Sequence, residues 1–459
     1  MKVVLHRLLM KSRLDNIAFV IVFIALLATS FSYRVWKAPD RVIAHDVVLY
    51  YQYLPTVFIY KDLSMSFTKT DIEFFRDKIW TNATKAGRTM SKMTMGTALM
   101  YSPFFFAGHW LAKPLGYPAD GYSLPYRIAL AFSSIFYAMA GLLFLMKLLR
   151  KYFDRMAVAI TILAIGLGTN LYFYTNIDPA MSHAYSFCLF AAFILLTDKW
   201  IARPGRLGAL GVGISGGLII LVRPSNGIIF IILLLWQVDS FAALKSRFVF
   251  FLRQWPNILL MAAAVIAVAI PQMLYWKYST GQYIYYGYRD ERFFFNDPEI
   301  LKGLFSYRKG WLVYTPVMAF ALFGLGVMYV KMKKLFWPVL AFTLLNFYVV
   351  WSWWCWWYGG GFGQRTLIES YALLAIPLAA GVDFFLKRKK PVRFIFSFLI
   401  FFFIILNIFQ TYQYTRGIIH WDGMTKKSYW DTYVRFKISP AHYDQISEPD
   451  YQAAMNGDR

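Results

Sequence analysis

His45 and Asp46 stand just beyond the first long apolar run, and Tyr50 and Tyr53 follow Asp46 at i+4 and i+7. That spacing puts one carboxylate and two phenols on a single helix face. A carboxylate so placed can act as general base toward a hydroxyl or help to hold a metal ion. Aspartate is also a favoured N-cap residue, so capping of the helix that begins here is the competing role for Asp46. Lys92 precedes a second apolar element, and Arg223 and Arg365 sit at the mouths of others. Such cations can hold a phosphate, arginine through two parallel bonds, or they can snorkel toward lipid headgroups. Arg365 closes the run Gly359-Gly360-Gly361-Phe362-Gly363-Gln364-Arg365, where missing Cβ atoms let backbone amides approach an anion. The spacing is neither a Walker loop nor a dinucleotide fingerprint. Glu369, one helical turn on, is spaced to pair with Arg365.

His183, in Asp178-Pro179-Ala180-Met181-Ser182-His183, is either a satisfied polar residue at a helix start or a proton-transfer group. Trp351, Trp353, Trp354, Trp356 and Trp357, followed by Tyr358, put five indoles within seven residues. An interfacial belt accounts for one or two of them. The excess suits a wall against a sugar ring or a prenyl chain, which makes Trp357 and Tyr358 candidates to line a substrate together with Tyr50, Tyr53 and His183. Cys188 and Cys355 have no CxxC or histidine company, so no protein metal site or disulfide framework is read from them.

These residues need elements to hold them, and the composition names the kind. Of 459 residues, 59% are apolar, 20% aromatic and only 16% charged, which excludes an ordinary soluble domain. The formal net charge of +24 comes from short basic clusters between apolar runs, not from one stripe, so no nucleic-acid partner is read. Lys2, Arg7, Lys11 and Arg13 precede the apolar run 16–32, which lacks a clean small-x-small cleavage site and is read as a retained first helix. Basic clusters recur at 147–155, 199–206, 245–253, 331–334 and 387–393. Placing every cluster on one side and asking about 20 apolar residues of each crossing yields about eleven spans. The runs are 16–32, 127–146, 157–173, 181–196, 207–222, 227–236, 256–275, 311–330, 335–351, 366–386 and 394–410. The piece 93–111, with Gly96, Pro103 and Gly108, breaks the alternation and is expected to lie along the outer surface or re-enter it. The fold class expected is therefore an all-α polytopic bundle. It forms one membrane domain over 1–411 with outer loops 33–124 and 276–310, and an outer tail over 412–459.

Taken together, His45-Asp46, Tyr50-Tyr51, Tyr53-Leu54-Pro55, Lys61-Asp62-Leu63, Pro103-Phe104-Phe105, Asp120-Gly121-Tyr122-Ser123, Arg223-Pro224-Ser225-Asn226 and Gly363-Gln364-Arg365, in this order of spans, carry a resemblance. The chain resembles the GT-C superfamily of integral-membrane glycosyltransferases, in particular the protein O-mannosyltransferase and aminoarabinose transferase group, in a bacterial branch. The resemblance implies that Asp46 is the catalytic carboxylate of the first outer loop and that the donor is a polyprenyl-phosphate sugar. It implies that Lys92 and Arg365, and more weakly Arg223, hold the donor phosphate. The acceptor would be a lipid, glycan or protein, reached at the periplasmic face of a bacterial inner membrane, with inversion at the anomeric carbon. Many relatives carry two adjacent acids where this chain has His45-Asp46, which raises His45 as a helper and leaves a divalent metal open. The competing functions are a transporter or flippase of lipid-linked glycans, and an oligosaccharide ligase or polymerase.

Overall fold

Apolar runs of this length satisfy their backbone polar groups in a membrane only as helices, and helices make up nearly all of the regular secondary structure of the computed structural model, which describes residues 13–459. The basic residues Lys2, Arg7 and Lys11 lie outside the described residues. Counting α-helices of six residues or more, α1 (Leu14–Tyr33) leads into a loop carrying α2 (Asp46–Tyr51), α3 (Tyr53–Phe58) and α4 (Gly96–Ala112). Next come α5 (Leu124–Leu149), α6 (Arg155–Leu167), α7 (Leu171–Asn176), α8 (Ser182–Ala202), α9 (Arg206–Val222) and α10 (Phe230–Leu235). After α11 (Phe241–Arg253) and α12 (Trp255–Thr280) a second loop holds α13 (Ile300–Phe305). The bundle closes with α14 (Ala319–Lys331), α15 (Lys333–Trp351), α16 (Tyr371–Leu386) and α17 (Lys390–Thr415), and the tail carries α18 (Lys426–Thr432) and α19 (Tyr451–Asn456). Among the described residues, six helices are long and apolar enough to cross a membrane and five shorter apolar ones accompany them. The chain is an all-α, multi-pass membrane protein.

The basic cluster at 147–155 is met by two acids, and Lys387 by Asp383 at 2.6 Å. Asp15, fully buried at the start of α1, accepts from Arg150 Nε at 2.6 Å and Arg155 Nη1 at 2.8 Å. Asp198, near the end of α8, pairs with Lys151 and accepts from Trp236 Nε1 at 2.9 Å. Elsewhere helices meet through small residues, as expected where lipid leaves no hydrophobic drive between them. A Cβ on Gly324 of α14 would lie 1.8 Å from the Pro377 carbonyl oxygen of α16.

The run 93–111 does lie across the bundle. Gly96, at the start of α4, abuts the last residues of α9, where a Cβ would come 2.3 Å from Val222 N. Gly108, near its end, abuts Tyr126 at the start of α5, with the corresponding distance 3.0 Å to its Cα. Both ends of α4 therefore touch the same end of the bundle, and Trp110 and Leu111 are left exposed. The run 157–173 is not one helix, contrary to expectation. It stops at Leu167, turns through Gly168-Thr169-Asn170 and resumes as α7. Asn407 of α17 donates to the Leu167 and Thr169 carbonyls at 2.8 and 2.9 Å, satisfying acceptors that the break leaves free.

Candidate active site

Asp46 opens α2 behind His45, whose left-handed φ of +50° turns the chain into the helix. The capping role for Asp46 is not the one observed, since the helix start has no side-chain cap. Its carboxylate instead accepts from Arg365, Nη2 to Oδ2 at 3.1 Å, in a pair that stays partly open, the side chains being 33% and 17% exposed. No side-chain hydrogen bond joins His45 to Asp46; the His45 ring lies within electrostatic reach of Asp178.

Arg365 is presented by the glycine run, but not through an anion cradle. Gly359, Gly361 and Gly363 have φ of +67°, +152° and +61°, conformations that side chains resist. A Cβ on Gly361 would lie 2.4 Å from the Tyr174 hydroxyl. The Phe362 amide donates to that hydroxyl at 2.9 Å and the Gly361 amide donates to the Trp421 carbonyl at 3.1 Å. Two of the amides expected to face an anion are thus already engaged, and the glycines serve close packing that aims Arg365. Glu369 is also not Arg365's partner. It accepts from Arg223 Nη1 at 2.9 Å and faces His183 Nδ1 at 3.3 Å.

Three further groups complete the cluster. Asp178, in the turn between α7 and α8, is within electrostatic reach of Arg365, His45 and Asp46. Burial, with Asp46 adding to it against the arginines, pushes its carboxyl up to about 6. Burial opposes ionisation of Glu369, yet Arg223 and His183 outweigh it and hold that carboxyl below its ordinary value. Tyr50 is buried between the two ion pairs; burial and the Asp46 carboxylate raise its phenol, which keeps it a neutral donor.

Other expected residues are placed differently. Tyr53 turns away, its hydroxyl donating to the Met93 carbonyl at 2.6 Å and its ring packing on Tyr275. Lys92 is held by Glu291 of the second loop and lies over the Tyr288 ring at 5.0 Å. Tyr358 lies within electrostatic reach of Arg223 and Glu369 and donates to the Val350 carbonyl. Trp357 is buried under the tail, against Tyr451 and the Arg308 guanidinium. Trp351, Trp354 and Trp356 are buried too, so the indole run packs inside the protein and forms no belt toward lipid.

The sequence places Asp178 among the outer polar candidates without assigning it a role, and does not mark Glu291, Tyr174 or Tyr288. Asp178 carried a signal, an acid beside a proline at a helix start, whereas the other three acquire their place only through distant loops. Among the described residues no three His, Cys, Asp or Glu side chains come together as a ligand set. One oxygen of Asp46 is already given to Arg365, so these residues do not fit a resident divalent metal.

No family model and no curated protein matches the chain. Among solved structures it is similar to the archaeal oligosaccharyltransferase AglB from Archaeoglobus fulgidus, in complex with an inhibitory peptide and a dolichol-phosphate, with a TM-score of 0.54 at 14% identity. The likeness covers 96% of this chain and 62% of AglB, so the chain spans under two thirds of that protein's length. At that identity the likeness is one of fold alone: the chain is a multi-pass helical membrane bundle arranged like that of AglB.

Proposed function

We propose that the chain is a membrane glycosyltransferase that moves a sugar from a polyprenyl-phosphate donor to an acceptor hydroxyl, with Asp46 as the catalytic carboxylate, at the end of the bundle opposite the basic clusters. The carrying observation is the Asp46–Arg365 pair, partly open and flanked by Asp178. Asp46 takes the acceptor proton as the acceptor oxygen forms its bond to the anomeric carbon, and Asp178, whose carboxyl is pushed up to about 6, is the second proton acceptor beside it. The bond from that carbon to the phosphate oxygen breaks, and its electron pair leaves on the polyprenyl phosphate. Arg365, with Lys92 once it is freed from Glu291, stabilises the charge that builds there. Arg223 stays neutralised by Glu369 and holds the wall in which Tyr50 sits. One displacement inverts the anomeric carbon, and with this orientation the site faces the periplasm of a bacterial inner membrane.

A second reading is transfer of an assembled oligosaccharide, favoured because the similar structure is that of an oligosaccharyltransferase. The test is transfer by purified protein from polyprenyl-phosphate sugars and from polyprenyl-linked oligosaccharides, wild type against Asp46→Asn. Full activity in the variant overturns the assignment of Asp46. Turnover of oligosaccharide donors only selects the second reading, and binding without turnover of any donor favours a transporter.

A further inference from the structure

A buried lysine that meets no carboxylate is costly, because its charge loses water without a counterion. Lys309, in the turn before residues 311–314, is such a residue at 2% exposure. Its ammonium donates to two main-chain carbonyls, that of Gly361 in the glycine turn and that of Trp421 in the tail. The acid nearest to it by charge, Asp422, has given its Oδ2 to the Tyr451 hydroxyl, and its Oδ1 is buried with no partner. The Gly361 amide donates to the same Trp421 carbonyl at 3.1 Å, and Arg308 Nη1 donates to the Asp422 carbonyl at 3.3 Å. Two segments sixty residues apart are thus pinned at one point. That point touches the site, because a Cβ on Gly361 would lie 3.7 Å from Cδ of Arg365, and the Trp421 ring lies against Gly360.

We propose that Lys309 is a positioning residue: it fastens the tail at Trp421 to the glycine turn at Gly361 and so sets the Arg365 guanidinium against Asp46. The tail is then part of the site and not only a cover over it. The catalytic meaning rests on the reading of Asp46 and Arg365 given above; the fastening itself does not.

Lys309 is faced by Asp422 from the tail, Arg365 from beyond the glycine turn, Cys355 from the indole run and Arg308 from its own turn. Burial, aided by the two arginines and opposed by Asp422, lowers its ammonium to about 7 from the ordinary 10.5. Opening the tail returns the amine to water and to its ordinary value. Between about 7 and 10.5 the open state therefore binds more protons than the closed one, and closure gains on opening by up to about tenfold per pH unit as pH rises. Below about 7 the amine is charged in both states and the dependence flattens. The neutral amine keeps two N–H donors for the two carbonyls.

The experiment is hydrogen exchange of the full chain in lipid nanodiscs from pH 6 to 9, corrected for intrinsic exchange, on wild type, Lys309→Met and Lys309→Arg. Peptides covering 359–363 and 418–424 are expected to gain protection together above pH 7 in the wild type. Lys309→Met is expected to lose protection at both by tenfold or more and to lose the pH dependence. Lys309→Arg is expected to keep both segments coupled while shifting the dependence out of the range. Unchanged protection of 359–363 in Lys309→Met overturns the proposal. If that variant does not fold, a wild-type profile flat from pH 7 to 9 overturns it equally. None of these readouts needs glycosyl transfer, so the fastening can fail while the function stands, or stand while the function fails. Where transfer is measurable, Lys309→Met is expected to lower kcat with little change in donor KM.

Discussion

Arg365 Nη2 lies 3.1 Å from Asp46 Oδ2 across 319 positions of sequence, joining the first loop to the turn that ends the indole run. The pair is only partly buried, so a substrate can reach both partners, and it neutralises the carboxylate without enclosing it.

Asp46→Asn is expected to reduce transfer at least about 100-fold, the scale of a lost general base, with a smaller loss in thermal unfolding than a fully buried pair gives, since Asp46 is 33% exposed and Asp178 stays within electrostatic reach of Arg365. Arg365→Lys keeps the charge but loses the planar fork and should fall between the variant and wild type. Initial rates with a polyprenyl-phosphate sugar, set beside melting curves in one detergent, separate the two effects.

The second ion pair should behave in the opposite way. Glu369 is 2% exposed and holds both Arg223 and His183, so Glu369→Gln leaves a mostly buried guanidinium without its counterion. A loss of about 3 to 5 kcal/mol is expected, read as a lower unfolding midpoint. Joint replacement with Arg223→Met should restore much of it; a double variant no more stable than Glu369→Gln would refute pairing as the cause.

For Asp178 the sign of the pH dependence follows from the direction of the shift. Its carboxyl is pushed up to about 6, so it is protonated below that value and available as a base above it. The transfer rate should climb by up to about tenfold per unit toward pH 6 and level off beyond. Asp178→Asn should remove that limb from the pH–rate profile. Its stability effect runs the other way: between 3.8 and about 6 the folded chain binds the extra proton, so stability falls as pH rises through that window.

Lys92 is available to a phosphate only after it leaves Glu291. Glu291→Gln should therefore tighten binding of a short-chain polyprenyl phosphate by about two- to fivefold, the scale of a part-exposed ion pair. Titration calorimetry checks it, and weaker binding would mean that Glu291 positions the lysine.

Gly324→Ala tests the bundle itself. The added methyl would sit 1.8 Å from the Pro377 carbonyl oxygen, so α14 and α16 must separate. A loss of about 1 to 3 kcal/mol is expected, visible as a lower melting temperature.

Hydropathy and charge along the chain determined that it crosses the membrane repeatedly, which helix ends carry the basic clusters, and that α4 cannot be a simple crossing. Those are local properties, because the cost of leaving a backbone group or a lysine in hydrocarbon depends on one segment and its flanks. The same local reading identified Asp46 and Arg365 as chemically capable. It failed where the choice of partner mattered. Glu369 stands four residues from Arg365 and yet binds Arg223, 146 positions away. Two amides of the glycine run, Phe362 and Gly361, donate to the Tyr174 hydroxyl and the Trp421 carbonyl and not to an anion, and most of the indoles are buried in the protein. Helical spacing fixes which side chains share a face. Which of several cations within reach meets a given carboxylate is decided by how the helices are stacked, by glycine contacts such as Gly324 on Pro377, and by which turns the tail fastens down.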